Sequence, residues 1–385
     1  MPWDARSVMD ERIRFVIAGS RGGRSMSELC QEFGIARSTG YRWLNRYREG
    51  GGRMSAIREY SRQPHRSPSR TSERIADQIV SLRLAYGWGA RKLQVLLARE
   101  DIGVSESTIN RILKRQGLQY EPEVCGHATR RFVRKAPNEL WQMDFKGPYR
   151  IATGRCCPLS LIDDHSRYAV GLYALGNQLG ASVHNALVQT FERYGVPEAM
   201  LVDHGVPWYS PNGHGLTWLS VALIKQGIDL CFSGVRHPQT QGKVERFHRT
   251  LGESVRHHGR PSHLAQWQLA FDEFTAEYNH IRPHEELGMA VPASRYRTSL
   301  RLYQPDPPVW EYPSGATVKR LNAKGLLQWK RHYYFVSEAL AGEWVEVNRC
   351  AETLLVRYRH MWIREIDVST ARSETLIDKN RMFHV

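Results

Sequence analysis

The chain has 385 residues and a hydrophobic content of 41%, so it is long enough for two to four folded domains and too apolar to be disordered throughout. No apolar run approaches the roughly 18–20 residues of a membrane span, and the N-terminus lacks the apolar core of a secretion signal. The six cysteines are scattered without paired Cys/His spacing, which argues against a zinc finger and for reduced thiols. We therefore expect a soluble, cytoplasmic protein.

The positive charge is concentrated in the N-terminal third of the sequence. The net charge is +15, and residues 1–137 carry 26 Lys and Arg against 14 Asp and Glu, whereas residues 138–300 carry 15 of each. Such a field indicates a polyanionic partner. Because the sequence has no basic amphipathic helix with an aromatic apolar face, we expect DNA or RNA rather than a membrane surface.

The first predicted domain, residues 1–50, has the pattern of a helix-turn-helix. Ser25 and Glu28 have the spacing of a capping box before a short helix, and Gly34 supplies a turn. A basic helix follows, with three residues predicted to face inward: Tyr41, Leu44 and Tyr47. Its candidate DNA contacts are Arg37, Ser38, Tyr41, Arg42 and Arg46. Residues 51–72, rich in Gly, Ser, Pro and Arg, are expected to form a linker.

Residues 73–118 repeat the pattern. The stretch GARKLQVLLARE predicts a helix, DIGVS a turn, and ESTINRILKRQG a second helix with apolar residues at helical spacing. The outward basic residues, which are candidate DNA contacts, are Arg111, Lys114 and Arg115. An ordinary helical pair with a solvated charged face is the alternative, but two pairs in tandem favour DNA binding. Residues 119–137 are expected to be a basic linker.

From residue 138 to residue 300 the pattern changes to alternating strands and helices. Three strands are followed by a helix, a strand, a helix, a strand and two helices. This order predicts an α/β domain with a mixed five-stranded sheet.

Residues 308–367 contain short, alternating, aromatic-rich runs that predict a small β-barrel, and residues 368–385 are expected to be a tail. Five aromatic residues are assigned to the barrel core, with stacking on bases as the alternative: Trp329, Tyr333, Tyr334, Trp344 and Trp362. The predicted fold class is therefore multidomain, α followed by α/β followed by β.

Three acidic side chains of the α/β domain are predicted to converge at one edge of the sheet. Asp144 lies in the first strand, Asp203 ends the fourth, and Glu245 lies on a helix that begins after the fifth. Three carboxylates in one small volume repel each other and are costly to desolvate unless cations neutralise them. Oxygen-rich sites suit Mg²⁺ or Mn²⁺, and two such ions ~3.5–4 Å apart promote displacement at a phosphodiester. We therefore predict phosphoryl transfer on nucleic acid.

A family resemblance rests on five blocks in a fixed order: ELWQMDFKGPY, LSLIDDHSRY, LVDHGVPW, HPQTQGKVERFHRTL and YNHIRPHEELG. With these blocks the chain resembles bacterial insertion-sequence DDE transposases with a retroviral-integrase-type core. The resemblance implies tandem helix-turn-helix units, a ribonuclease-H-like catalytic core and, more weakly, the C-terminal barrel.

The same resemblance implies a catalytic and metal-binding triad of Asp144, Asp203 and Glu245 with two Mg²⁺ ions, for which Mn²⁺ would substitute. The implied chemistry is cleavage at the ends of a mobile element, followed by attack of the 3′-hydroxyls on target DNA. The implied partners are double-stranded DNA, from the element ends and the target, and further copies of the chain in a dimer or larger assembly at the bacterial nucleoid.

The chain departs from the family pattern in two places. His204 stands where the family has Asn, beside Asp203 but not as a ligand. The 41 residues between Asp203 and Glu245 exceed the roughly 35 of many relatives, and we expect the additional ones in the Gly-rich stretch YSPNGHGLTW, where insertion is cheap. Neither departure removes a carboxylate of the triad.

Two groups of polar residues near the triad have alternative interpretations. For Asp163 and Asp164, shaping the DDHSR turn and holding Arg167 is favoured over binding metal. Glu245 could pair with Arg249 instead of a metal ion. Five residues are predicted to contact DNA phosphates, with a solvated surface as the alternative: Gln239, Gln241, Lys243, Arg246 and Arg249.

The predicted function is that of a transposase that binds terminal inverted repeats and performs Mg²⁺-dependent strand cleavage and strand transfer. One alternative is a non-catalytic, sequence-specific DNA-binding regulator derived from such an enzyme. Another is a metal-dependent DNA nuclease without joining activity. The presence of all three carboxylates argues against the regulator.

Overall fold

The computed structural model describes residues 8–60, 70–119, 133–152, 154–210, 215–233 and 242–377. The chain divides into two compact units, Met1–Thr71 and Ser72–Val385. Within the described ranges, no helix combines the length and the apolar character that crossing a membrane requires.

The described part of the first unit contains helices α1 (Val8–Ser20), α2 (Met26–Glu32) and α3 (Arg37–Glu49). The predicted capping box is confirmed, because the Glu28 amide donates to Ser25 Oγ (3.3 Å) and the Ser25 amide donates to the Glu28 carboxylate (2.9 Å). Helix α1, which the sequence interpretation lacked, contributes Phe15 and Val16 to the core of this unit.

One side-chain orientation predicted for α3 is wrong. Leu44 is buried and Tyr47 is partly buried, but Tyr41 is exposed. The buried stripe consists of Gly40, Trp43 and Leu44, at spacing i, i+3 and i+4, and this stripe turns Tyr41 outward. Tyr41 therefore belongs to the exposed face of α3 together with the basic residues.

The second unit begins with helices α4 (Glu73–Tyr86), α5 (Ala90–Arg99) and α6 (Glu106–Arg115). Helices α5 and α6 confirm the predicted pair, and the Thr108 amide donates to Ser105 Oγ (3.3 Å) at the start of α6. Three apolar residues of α6 are buried as predicted: Ile109, Ile112 and Leu113. Helix α4, which was not predicted, adds Ile79 to the same core.

The α/β region follows. Its strands are β1 (Trp141–Phe145), β2 (Tyr149–Ile151), β3 (Gly154–Asp163), β4 (Ala169–Leu175), β5 (Ala199–Val202), β6 (Tyr209–Ser210), β7 (Gly215–Leu216) and β8 (Asp229–Phe232). Its helices are α7 (Gly180–Tyr194), α8 (Trp218–Lys225), α9 (Gly242–His258) and α10 (Leu264–His280). Strands β6 and β7 pair with each other inside the stretch where the additional residues were expected.

The predicted mixed sheet is present, with five strands in the order β4-β3-β1-β5-β8 and the short β2 added beside the start of β3. Strand β3 pairs antiparallel with β1 and β4, whereas β5 pairs parallel with β1 and β8. Because β1 and β5 run in the same direction, their C-terminal ends meet at one edge of the sheet. Asp144, near the end of β1, and Asp203, directly after β5, share that edge.

Helix α9 packs against the sheet through a regular apolar stripe. Four of its residues are buried, at successive spacings of three or four: Val244, Phe247, Leu251 and Val255. They share a core with β3, β4 and α10. Glu245 follows Val244 directly, so burial of the stripe leaves Glu245 exposed in the first turn of the helix.

The C-terminal strands are β9 (Val318–Arg320), β10 (Leu326–Trp329), β11 (His332–Phe335), β12 (Trp344–Cys350), β13 (Thr353–Tyr358), β14 (Met361–Asp367) and β15 (Arg372–Thr375). Five of them form an antiparallel sheet in the order β15-β14-β13-β12-β9, and β10 pairs with β11 separately. The predicted barrel is not confirmed, because among the described residues the edge strands β15 and β9 do not pair to close the sheet. Strand β15 lies within the range that was expected to be a tail.

The core assignment of the C-terminal aromatic residues holds only in part. Tyr334 is buried, and Trp329 and Trp362 are partly buried, whereas Tyr333 and Trp344 are more than half exposed. Successive side chains of a strand point to opposite faces, so Tyr333 faces away from the side that buries Tyr334. Trp344 likewise precedes the buried Val345, at the start of β12.

Candidate active site

Asp144 lies on β1 opposite Ser160 of β3. One of its carboxylate oxygens accepts a hydrogen bond from the Phe145 amide (2.8 Å). Burial, with smaller contributions from the carboxylates of Asp203 and Glu245, raises the pKa of Asp144 to about 7. Asp203 and Glu245 are therefore both close enough to act on Asp144 electrostatically.

The Asp203 carboxylate is held by the loop that follows β5. It accepts hydrogen bonds from the Gly205 amide (3.0 Å) and from the indole N–H of Trp208. Trp208 is buried and stacks on Phe145 of β1, with 5.5 Å between the ring centroids. A Cβ atom at Gly205 would lie 2.9 Å from Asp203 Oδ1, so a larger residue there would displace the carboxylate. These contacts fix the carboxylate beside the end of β1.

His204, which replaces the usual Asn, joins an aromatic cluster next to the site. Its ring centroid lies 4.9 Å from that of Tyr209 and 5.5 Å from that of Phe232. The departure from the family pattern therefore places a ring in contact with β6 and with the end of β8.

His248, one turn after Glu245 on α9, is a neighbour of Asp144 to which the sequence assigned no role. Its Nδ1 lies 3.9 Å from Asp144 Oδ2, and its Nε2 forms a hydrogen bond with Ser160 Oγ (3.0 Å). Burial, assisted by the positive charge of Lys146, lowers the pKa of His248 to about 3. The imidazole is therefore neutral and does not compensate the charge of Asp144.

The donor set at this edge has the chemistry of a site for divalent cations. Carboxylate oxygens are the ligands that Mg²⁺ and Mn²⁺ prefer, and the carboxylates of Asp203 and Glu245 add to the burial that raises the pKa of Asp144. In the ranges that the structure describes, no three Asp, Glu, His or Cys side chains are arranged closely enough to hold a metal ion. The three carboxylates fit a divalent metal by their chemistry. They would have to move closer together to bind one.

Asp163 shapes the turn between β3 and β4, as predicted. It is buried, and its carboxylate accepts hydrogen bonds from the Asn138 amide (2.7 Å), the Ser166 amide (2.8 Å) and the Ser166 hydroxyl (2.6 Å). Arg167 donates to the backbone carbonyl of Asp164. Asp163 therefore has the contacts of a structural residue.

Asp164 is also buried and accepts from three donors on different segments. These are the Arg134 amide (2.8 Å), the side-chain amide of Gln142 (2.9 Å) and the ammonium of Lys243. Lys243 was predicted to contact DNA, but here it forms an ion pair inside the protein. Gln142 has no sequence signal of its own, because its partners lie 22 and 102 residues away in the chain.

The other predicted DNA contacts on α9 lie close to the triad in sequence. Arg246 is exposed, with its guanidinium 3.9 Å from Glu286, and Arg249 is partly exposed. Gln239 and Gln241 lie outside the described residues.

The predicted DNA contacts on α3 and α6 lie on the outer faces of these helices. Those that are exposed are Arg37, Ser38, Tyr41, Arg42, Arg111, Lys114 and Arg115. Arg46 is partly buried, because its guanidinium stacks over Trp43 (4.9 Å) and Tyr60 (4.1 Å) and donates to the Arg58 carbonyl (2.8 Å).

Comparison with known families agrees with this arrangement. The chain matches the family described as integrase core domain over residues 134–238 and 226–292. It matches a helix-turn-helix domain over residues 11–53 and a homeodomain-like domain over residues 39–113. Helix-turn-helix domains together with an integrase core support a polynucleotidyl transferase family.

Individual relatives identify the family to which the chain belongs. The chain is 31% identical over 139 residues to an uncharacterized protein of insertion element IS136 from Agrobacterium fabrum, a match that covers 34% of this chain and 69% of that protein. It is 25% identical over 264 residues to the transposase for transposon Tn552 of Staphylococcus aureus, covering 60% and 53%. The chain belongs to the bacterial insertion-sequence transposases with a retroviral-integrase-type core.

Among solved structures, the HTLV-2 integrase catalytic core domain in complex with magnesium is similar at 14% identity, with a TM-score of 0.33, over 42% of this chain and 97% of that one.

Proposed function

We propose that the protein is a transposase that binds the terminal inverted repeats of a mobile element and catalyses Mg²⁺-dependent DNA cleavage and strand transfer. The observation on which this rests is that Asp144 and Asp203 share the edge where the parallel strands β1 and β5 end, with Glu245 in the first turn of the adjacent helix α9. Carboxylates gathered at one sheet edge repel each other, and divalent cations would remove this repulsion. The helix-turn-helix families matched by the N-terminal part supply the means of binding DNA.

Asp144, Asp203 and Glu245 are the proposed ligands of two Mg²⁺ ions, with Mn²⁺ as a substitute and Asp144 as the shared ligand. When bound, such ions polarise the phosphodiester and activate the attacking oxygen of an in-line displacement. The Gly205 amide and the Trp208 indole keep the Asp203 carboxylate in place. The neutral His248 fills the space beside Asp144, and its hydrogen bond to Ser160 keeps the ring there without adding a competing positive charge.

The proposed DNA contacts divide into two groups by location. The exposed basic faces of α3 and α6 recognise the element ends, because basic recognition helices are the usual readers of the major groove. Arg246 and Arg249, with Gln239 and Gln241, bind phosphates of the DNA that is cut. We propose that two or more copies of the chain assemble on paired element ends, in the bacterial cytoplasm at nucleoid DNA.

Strand cleavage and joining test the proposal directly. Purified full-length protein is incubated with Mg²⁺ and labelled DNA that carries the element ends, either intact or pre-cut to expose the 3′-hydroxyl. We expect nicking of the intact ends and joining of the pre-cut ends to a plasmid. Glu245→Gln and Asp144→Asn should abolish both reactions, whereas Glu253→Gln, on the same helix α9, should retain them.

The outcomes separate the candidate functions. Activity that persists in Asp144→Asn or Glu245→Gln would show that the site is wrongly assigned. Nicking without joining of pre-cut ends would identify a nuclease. Sequence-specific binding of the correct ends without cleavage or joining would favour a regulator.

A further inference from the structure

A buried polar cluster lies beneath the first turn of α9, and it consists of Asp164, Gln142 and Lys243. Asp164 is fully buried, and only 14% of the Lys243 side chain is exposed. The Lys243 ammonium pairs with the Asp164 carboxylate and also donates to the Asp164 carbonyl (3.3 Å). An ion pair at this depth is costly to desolvate, and removing one partner leaves an uncompensated buried charge. The cluster is therefore a strong constraint on the position of residue 243.

Gln142 connects the same carboxylate to the backbone of α9. Its side-chain N–H donates to Asp164 (2.9 Å), and its side-chain carbonyl accepts from the Val244 amide (3.3 Å). Amides in the first turn of a helix have no partner within the helix, so a side chain from elsewhere must satisfy them. Gln142 supplies this partner from β1.

The position of Gln142 on β1 links the cluster to the proposed catalytic carboxylates. Gln142 and Asp144 are two residues apart on the strand and therefore project from the same face of the sheet. Lys243 and Val244 directly precede Glu245 on α9. The cluster thus joins the strand that holds one proposed ligand to the helix turn that holds another.

We propose that Asp164, Gln142 and Lys243 are positioning residues that anchor the first turn of α9 to β1 and so set the separation between Glu245 and Asp144. The importance of this separation rests on the proposed function. The anchoring itself does not, because it is a property of the chain without DNA or metal. Lys243 therefore acts inside the protein and does not contact DNA.

Hydrogen exchange of the α9 amides tests the anchoring in the full-length protein without metal or DNA. Lys243→Met and Asp164→Asn should each raise the exchange rate of the first turn of α9 at least tenfold. The double variant should recover much of the protection because it leaves no uncompensated charge. Lys243→Arg should also retain protection. Lys225→Met, which breaks the more exposed pair between Lys225 and Glu343 (2.7 Å), is the matched control and should leave α9 unchanged.

Two further measurements keep the proposal open to refutation. If a single charge variant fails to fold, Gln142→Met removes the acceptor for the Val244 amide and retains the ion pair, and it should raise exchange in the same turn. DNA affinity as a function of salt distinguishes a phosphate contact, whose loss lowers the log–log slope by about 0.9, from the unchanged slope expected here. Unchanged α9 exchange in the variants, or a lower slope in Lys243→Met alone, would overturn the proposal.

Each result is separable from the proposed function. If Glu245→Gln retained cleavage and joining while Lys243→Met loosened α9, the catalytic assignment would fail and the anchoring would stand. If Glu245→Gln abolished activity and α9 remained protected in every variant, the anchoring would fail alone.

Discussion

Two pairs of aspartates belong to the same α/β region and have opposite surroundings. Asp163 and Asp164, where β3 ends, are fully buried, and each carboxylate accepts three hydrogen bonds from protein donors. Asp144 and Asp203, where β1 and β5 end, are partly exposed, and the donors to their carboxylates come from within five residues of each in the chain. Each carboxylate of the first pair thus has three protein donors, whereas Asp144 accepts from one and Asp203 from two.

The difference separates structural carboxylates from candidate ligands. Burial raises the pKa of Asp163 as well, but the hydrogen bonds from Ser166 and Asn138 act against that rise. At Asp144 burial raises the pKa to about 7, and the carboxylates of Asp203 and Glu245 add to a rise that a bound cation would reverse. Neutralisation by the surroundings, more than burial alone, therefore distinguishes the two pairs.

The largest effect is expected for Asp144→Asn. Strand cleavage and joining should fall by more than about 100-fold, because even groups that only support a metal ligand typically contribute 10–100-fold. The melting temperature should stay the same or rise, since the substitution removes repulsion from Asp203 and Glu245. Parallel measurement of the joining rate and of thermal unfolding checks both parts. A stability loss that accounts for the lost activity would contradict the assignment.

Asp163→Asn, in contrast to Asp144→Asn, should destabilise the protein. The new side chain keeps one acceptor oxygen, so its nitrogen must face either the Asn138 donor or the Ser166 donors without accepting from them, and the free energy of unfolding should fall by about 2–4 kcal/mol. Denaturant unfolding measures this change. Asp144→Asn is the control, because it makes the same change in side-chain size and charge. Equal stability of the two variants would remove the distinction between the pairs.

Gly205→Ala tests how the loop holds Asp203. The added Cβ would lie 2.9 Å from Asp203 Oδ1, so the carboxylate must shift, and we expect a loss of activity of about 10–100-fold at unchanged melting temperature. Gly147→Ala is the control, because a Cβ there meets no atom within 4 Å. Full activity of Gly205→Ala would mean that the position of this carboxylate does not limit the reaction.

The smallest effect concerns Glu277 on α10, a partly buried acid without a proposed ligand role. Burial raises its pKa to about 7, against an ordinary value of 4.5. The folded state then holds the proton more tightly than the unfolded state, so this group's contribution to stability falls as pH rises from about 4.5 to 7. Glu277→Gln should therefore stabilise the protein at pH 8, by on the order of 1 kcal/mol after solvent screening, and have little effect at pH 4.

Thermal unfolding of the wild type and Glu277→Gln at the two pH values measures this difference. A stabilisation of equal size at both values would contradict the raised pKa.

The sequence predicted those features that depend on local pattern. The capping box at Ser25, the order of strands and helices in the α/β region, and the placement of Asp144 and Asp203 at one sheet edge follow from spacing and turn residues. The order of strands and helices also predicted Glu245 beside the two aspartates, and the block resemblance supplied their assignment as a catalytic triad.

The features that were missed depend on contacts between distant segments. Gln142 bonds to Val244 across 102 residues, and Lys243 pairs with Asp164 across 79, so neither pairing has a local signal. Tyr41 was assigned to a core from helical spacing and Tyr333 from strand alternation, although their neighbours fill those cores. Closure of the C-terminal sheet into a barrel likewise depends on pairing between its two edge strands. The alternation of apolar and polar residues within each strand does not determine that pairing.

Binding of Mn²⁺ tests the central claim most directly, because it asks whether the poorly neutralised carboxylates take cations. Electron paramagnetic resonance would follow a titration of the full-length protein, bound to pre-cut end DNA, with Mn²⁺. We expect two ions per chain for the wild type and at least tenfold weaker binding for Asp144→Asn, with Glu253→Gln like the wild type. Equal binding by the wild type and Asp144→Asn would contradict the account.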